Sequence, residues 1–135
     1  MATLDQKRAA MSWDHVQAVN QLAPAEKKKY GTIVHALTPM LRTAGLSQSL
    51  HFVFARKSTA QHLLLDHLAA QLQRTDRTIT DKGALLKRAR EANLSDYLRL
   101  TQEALRCMNW YRRFVQGVLK VEASDEADDR EDDNG

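Results

Sequence analysis

Very little breaks this chain: only two prolines and five glycines punctuate 135 residues. Between them run stretches rich in Ala, Leu, Lys, Arg, Gln and Glu, the residues that lose least on entering a helix. The expected fold is therefore all-α, a compact single-domain bundle of about six helices. A chain of this size buries roughly two-thirds of the surface that its unfolded form exposes, enough for one core.

Apolar periodicity and capping residues place the helices. The first is expected over Leu4 to Asn20, with Ala9, Trp13, Val16 and Asn20 on one face. Pro24 suits the first turn of a second helix, which runs to Ala44 and turns Tyr30, Ile33, Val34, Leu37 and Leu41 inward. Pro39 removes a backbone hydrogen bond and predicts a kink close to Ala36 or Leu37; Gly45 is the left-handed stop. Ser47 is read as the cap of a short third helix ending near Lys57, with Leu50, Val53 and Phe54 inward. Ser58 opens a fourth, to Gln73, carrying Leu64, Leu65, Leu68 and Leu72. After a polar loop from Arg74 to Gly83, Asp81 caps a brief helix from Lys82 to Asn93 with Leu85, Leu86 and Ala89 on its inner side. The longest helix starts after Ser95 and reaches Val121. Leu98, Thr101, Leu105, Met108, Val115 and Leu119 form its apolar band, widened by Trp110, Tyr111 and Phe114.

The net charge of +3 conceals an asymmetry. Residues 122–135 hold eight acids against Arg130, a balance of −7, so 1–121 carries 19 bases and nine acids, or +10. A surplus of that size on a small domain points to a polyanion partner; a solvated basic surface that binds nothing is the competing reading. The acidic end has no large apolar residue after Val121 to offset the entropy of ordering, so 122–135 is expected to be a disordered acidic tail. It either shields the basic face or simply solubilises.

The chemistry-bearing residues are sparse. Cys107 has no cysteine partner and falls within a helix, so a buried thiol in a reducing compartment is expected. No apolar run is long enough to span a membrane and Met1 to Lys7 has no signal-peptide core, so a cytoplasmic protein is expected. His15, His35, His51, His62 and His67 include no pair four residues apart, which leaves no metal site, and no glycine-rich loop cradles phosphate. Asp14 and His15 are adjacent and diverge by about 100° on a helix, a poor acid–base pair. The expectation is a protein that is not an enzyme and has no cofactor and no small-molecule substrate.

What remains is clustered positive charge on helices. Lys27, Lys28 and Lys29 lie early in the second helix, where cations oppose the helix dipole, while Arg56 and Lys57 end the third, where cations suit it. Lys87, Arg88 and Arg90 cluster on the fifth; Arg106, Arg112 and Arg113 lie among the aromatics of the last. Arginine can make two parallel bonds to phosphate, so these are the stronger candidates for backbone contacts.

Three blocks carry a family resemblance. Ala44-Gly45-Leu46-Ser47-Gln48-Ser49-Leu50-His51-Phe52 follows Leu37-Thr38-Pro39 and precedes Lys57; Tyr97 to Leu105 precedes Trp110-Tyr111-Arg112-Arg113-Phe114; Arg8-Ala9 precedes Trp13. In order and spacing, from about Arg8 to Val118, they resemble the small-subunit family of the type III-B (Cmr) CRISPR effector complex. The resemblance implies a helical subunit that stacks in several copies beside larger subunits and presents a basic face to guide RNA and target RNA, cleavage belonging to other subunits. Carried over to this sequence, Arg8, Lys57 and Arg113 are the first candidates for RNA or partner contact, and Arg56, Arg106, Arg112, Lys28 and Lys29 join them on charge. Trp13, Tyr30, Leu46, Leu50 and Trp110 are expected in the core. His51 and the acidic extension depart from the family pattern. Two rivals remain: a helical adaptor between proteins without RNA contact, and a helix-turn-helix DNA binder.

Overall fold

The computed structural model describes residues 1–125; the rest of the expected acidic tail, 126–135, lies outside the described residues. Among the described residues there are five α-helices and no strand. They are α1 (Leu4–Val19), α2 (Pro24–Phe54), α3 (Thr59–Leu72), α4 (Lys82–Glu91) and α5 (Leu94–Phe114), followed by a π-helical turn, Val115–Leu119, and a 3-10 turn, Ala123–Asp125.

Local chemistry explains the starts. Thr3 and Gln6 form a reciprocal capping box on α1. Pro24 opens α2, Ser58 caps α3 through the Ala60 amide, and Asp81 caps α4 through the Ala84 amide. Asn93 caps α5 through the Asp96 amide, so that helix begins before Ser95, not after it.

The second and third expected helices run end to end as the two limbs of α2, 24–44 and 46–54, with the break between them at Gly45, where the sequence places it. The kink expected near Ala36 or Leu37 is not where the backbone breaks: within Pro24–Phe54 only Gly45 leaves helical dihedrals, and Pro39 is accommodated. An interior proline costs about 3 kcal/mol. Each buried leucine contributes about 1.5–3 kcal/mol, so Leu37 and Leu41, which flank Pro39 in the same limb and are no more than 1% exposed, offset it. Gly45 has φ 84° and ψ 175°, an extended region open essentially to glycine alone, rather than the left-handed helical stop. Ser47 is not the cap; its amide donates to the Tyr97 hydroxyl of α5 at 3.1 Å. A Cβ at Gly45 would lie 2.7 Å from that same oxygen, so glycine serves both the dihedral and the approach of Tyr97.

α2 runs through the middle, packing on α3 and α5; α1 lies on α5, and α4 closes against α3 and α2. Tyr30, Ile33, Val34, Leu37, Leu64, Leu65, Leu68, Leu72, Leu85, Met108 and Tyr111 are buried, as their spacing predicts. Ile79, in the polar loop, is buried too and anchors it. Four expected core residues are not in the core. Trp13, Phe54 and Leu98 are 45%, 47% and 58% exposed, and Trp110 is half-buried. For Trp13 the reason is a rotation of α1: its buried side is Arg8, Ser12, Val16 and Val19, a face whose polar half an apolar count cannot find.

The C-terminal end also differs from a helix continuing to Val121. Lys120 adopts a left-handed conformation (φ 62°, ψ 34°), and its amide and that of Val121 both donate to the Val115 carbonyl. That conformation costs a non-glycine residue about 1–2 kcal/mol. Burial of Val121 offsets it: its side chain sits over Gly31, where a Cβ would come within 2.6 Å, and its carbonyl accepts from His35 Nε2 at 2.9 Å.

Candidate nucleic-acid interface

The basic residues separate into structural and available groups. Arg8 is structural: it is 5% exposed, and its Nε and Nη2 donate to the two carboxylate oxygens of Glu103 on α5 at 2.6 and 2.7 Å. A third bond runs from Nη1 to Asp5 at 3.2 Å. The guanidinium holds the Glu103 carboxyl below the usual carboxylate range, and Glu103 in return raises Arg8. Arg8, a first candidate for RNA or partner contact, thus has its fork of donors turned inward on a buried carboxylate. Arg88 is likewise engaged, with Asp76 at 2.7 Å and Asp96 at 3.4 Å.

Behind the Arg8–Glu103 pair lies a polar network that links α1, α2, α3 and α5. Gln71 Nε2 donates to Ser12 Oγ (2.9 Å), to the Arg8 carbonyl (3.2 Å) and to the Tyr111 hydroxyl (3.2 Å). The Tyr111 hydroxyl meets His15 Nδ1 at 2.8 Å, and the Tyr30 hydroxyl meets His67 Nδ1 at 2.7 Å. The two imidazoles stack with centroids 4.0 Å apart. Burial lowers both: His67 falls to about 3, with His15 as a second cause, so the stacked pair is neutral at physiological pH. Cys107 is buried, as expected, and burial followed by the Glu103 charge pushes its thiol up to about 12, leaving it unreactive.

The available cations lie elsewhere. Arg106 and Arg113, exposed on α5, line a groove with Asp5, Asn109 and Trp110; Asn109 and Arg113 also line the next groove with Arg112 and Gln116. Beside them Trp13 meets Phe114 edge-on at 5.2 Å and Trp110 stacks on Phe114 at 5.6 Å. Trp110 is steadied by its indole N–H, which donates to Asp5 at 3.1 Å. Among the described residues none of Arg106, Arg112 and Arg113 takes part in an ion pair.

Arg56 and Lys57 occupy the α2–α3 connection. His62 Nε2 donates to the carbonyls of Phe54 (3.0 Å) and Arg56 (2.8 Å), and Ser58 Oγ reaches Glu26 at 3.4 Å, which ties this turn to the start of α2. Arg56 lies over the Phe52 ring at 4.5 Å, and Lys57 is exposed. Lys28 lines a third groove with Pro24, Lys27, Leu119, Lys120 and Val121. Lys29 is not in that lining; three residues beyond Glu26, it shares the side of α2 that faces the Ser58 turn. The structure thus joins Arg106, Arg112 and Arg113 in one strip, Lys27, Lys28 and Lys120 in a second, and Arg56 with Lys57 in a third. Sequence reasoning missed Lys120, which only the left-handed turn brings to α2. It also missed Glu103, 95 residues from Arg8 and without any local signal.

Among the described residues no group of His, Cys, Asp or Glu side chains could hold a metal ion, and no helix is long and apolar enough to cross a membrane.

The family described as CRISPR-associated protein (Cas_Cmr5) matches residues 4–118. A curated relative from Thermus thermophilus, the CRISPR system Cmr subunit Cmr5, is 36% identical over 105 residues, covering 77% of this chain and 88% of that protein. The crystal structure of a CRISPR-associated Cmr5 family protein, also from Thermus thermophilus, superposes with a TM-score of 0.77 at 33% identity, over 87% of this chain and 98% of that one. With helix order, fold and sequence in agreement over nearly the whole described chain, the protein belongs to the Cmr5 family.

Proposed function

We propose that the protein is a non-catalytic small subunit of a type III-B (Cmr) RNA-guided antiviral complex in the cytoplasm. In this reading the helical unit 1–121 stacks in several copies beside the other Cmr subunits, and its basic face lines the channel that holds guide RNA and target RNA. The observation that carries it is the strip of Arg106, Arg112 and Arg113, none of which takes part in an ion pair among the described residues, in contrast to Arg8 and Arg88. Guanidinium groups so placed are free to bond phosphate oxygens without reading sequence, and stacked copies multiply weak sites. Lys57 and Lys28 extend the face; Arg8 stays out of it.

RNA binding by the reconstituted complex at two salt concentrations tests this, comparing the unaltered subunit with Lys57, Arg112 and Arg113 changed to Glu. Lower affinity is the expected result, with a salt slope shallower by about 0.7–0.9 for each phosphate that the variant no longer neutralises. Unchanged binding in intact complexes leaves the subunit as an adaptor between proteins. That second reading has its own observation, the accessible Trp13–Phe114–Trp110 cluster beside the arginines, since aromatic and arginine side chains dominate protein interfaces. Nothing favours a helix-turn-helix DNA binder: the limb after Gly45 buries Leu46, Leu50 and Val53 in the core.

A further inference from the structure

The described chain ends beside a groove of its own opposite charge. Lys27 and Lys28 on α2 and Lys120 after the π-helical turn line one groove together with Pro24, Leu119 and Val121. Among the described residues no carboxylate pairs with any of the three lysines. The path by which the chain leaves this groove is fixed. Lys120 reverses it, Val121 is seated over Gly31 and held by His35, Gln116 Nε2 donates to Glu122 at 3.4 Å, and the turn Ala123–Asp125 packs on α2. Beyond Asp125 come six acids, Glu126, Asp128, Asp129, Glu131, Asp132 and Asp133, against one base, Arg130.

We propose that the acidic segment from Glu126 to Asp133 seats on the groove of Lys27, Lys28 and Lys120 in the same chain and competes there with nucleic-acid phosphate. Three observations support it: unneutralised lysines at the exit, a segment of net charge −5 tethered to it, and ample length. Eight residues reach up to about 26–29 Å when extended, far more than a neighbouring groove requires. The tether also fixes the magnitude. A short flexible link holds its ligand at an effective concentration near ~1 mM; set against a non-specific polyanion affinity of about 10⁻⁴ M, this gives competition on the order of tenfold. The contact weakens with salt, as any exposed charge pair does. The competition rests on the RNA-binding reading above; the intramolecular contact does not.

Two measurements on the full-length protein separate them. Zero-length carbodiimide cross-linking, with peptides mapped from the monomer band, is expected to join carboxylates of 126–133 to Lys27, Lys28 and Lys120, and to lose those links in high salt. Links spread evenly over Lys7, Lys57 and Lys87 as well overturn the contact. The second measurement is fluorescence anisotropy with a single-stranded RNA oligonucleotide at low salt. It compares the full chain, a chain ending at Asp125, and a full-length variant with the six acids changed to Asn or Gln. Both altered forms are expected to bind about tenfold more tightly, and K27E/K28E/K120E to abolish the gain. Specific cross-links with RNA binding in no form sink the RNA reading and leave the contact standing. Specific cross-links with equal RNA affinity in all three forms overturn the competition.

Discussion

Changing Arg8 to Met should destabilise the fold severely while leaving RNA contacts alone. The side chain is 6% exposed and makes two short bonds to a carboxylate that is itself only 7% exposed, so its removal leaves Glu103 buried without its counter-ion. Breaking one side of such a pair costs about 3–5 kcal/mol, out of a total stability of about 5–15 kcal/mol for a domain. For a chain of this length that corresponds to a fall in Tm of about 10–25 °C. Replacing both partners, as R8M/E103L, removes the stranded charge and should recover all but about 1.5 kcal/mol, because a buried ion pair is worth little against apolar packing of similar volume. The pH dependence has a definite sign. Arg8 holds Glu103 below its ordinary value of 4.5, so the pair's contribution is present above that pH and is lost as pH falls through the lower value of the folded state. Urea unfolding of wild type, both single variants and the double variant measures the coupling. Losses that simply add in the double variant would refute the ion-pair account. Weak RNA binding by a well-folded R8M/E103L would return Arg8 to the interface.

Two further outcomes follow from the same packing. G45A should cost about 2–4 kcal/mol, from a backbone conformation closed to alanine and a Cβ 2.7 Å from the Tyr97 hydroxyl, whereas Y97F should cost only about 1 kcal/mol; urea unfolding that finds G45A within about 0.5 kcal/mol of wild type would contradict this. Acidification should destabilise the protein through the stacked histidines: His67 is lowered from 6.5 to about 3, so stability is complete above 6.5 and falls as pH drops towards 3, by roughly 2 kcal/mol at pH 5 from His67 alone. An NMR titration in which both buried imidazoles protonate near pH 6.5 would show that burial does not hold them neutral.

The amphipathic helices were legible because burial acts on side chains at helical spacing: Tyr30, Ile33, Val34, Leu37 and Leu41 lie on one stripe in the sequence and in the core. The starts at Pro24, Ser58 and Asp81 were legible for a similarly local reason, since a cap acts over three residues. What failed was whatever depended on distant partners. Trp13 looks like a core residue until one knows that α1 turns Arg8 and Ser12 towards Glu103 and Gln71. Ser47 looks like a cap until Tyr97 arrives from 50 residues away to take its amide. Pro39 looks like a kink because the leucines that keep the helix together are not visible as neighbours of the proline.

The same distinction explains the candidate site. Charge can be counted from a sequence, but its availability depends on which carboxylates the fold places beside it. Arg8 and Arg113 were equivalent as sequence, both basic and both in blocks resembling the family. Folding gave Arg8 to Glu103 and left Arg113 facing an open groove. Lys120 makes the converse case. It belonged to no cluster in the sequence, yet a single left-handed residue brings it to the lysines of α2, at the point where the acidic segment departs. A basic surface is therefore defined less by where cations are dense than by where the fold leaves them without internal carboxylates. By that criterion the arginine strip of α5 is open to an external polyanion, and the Lys27–Lys28–Lys120 groove is where such a polyanion would contend with the chain's own acids.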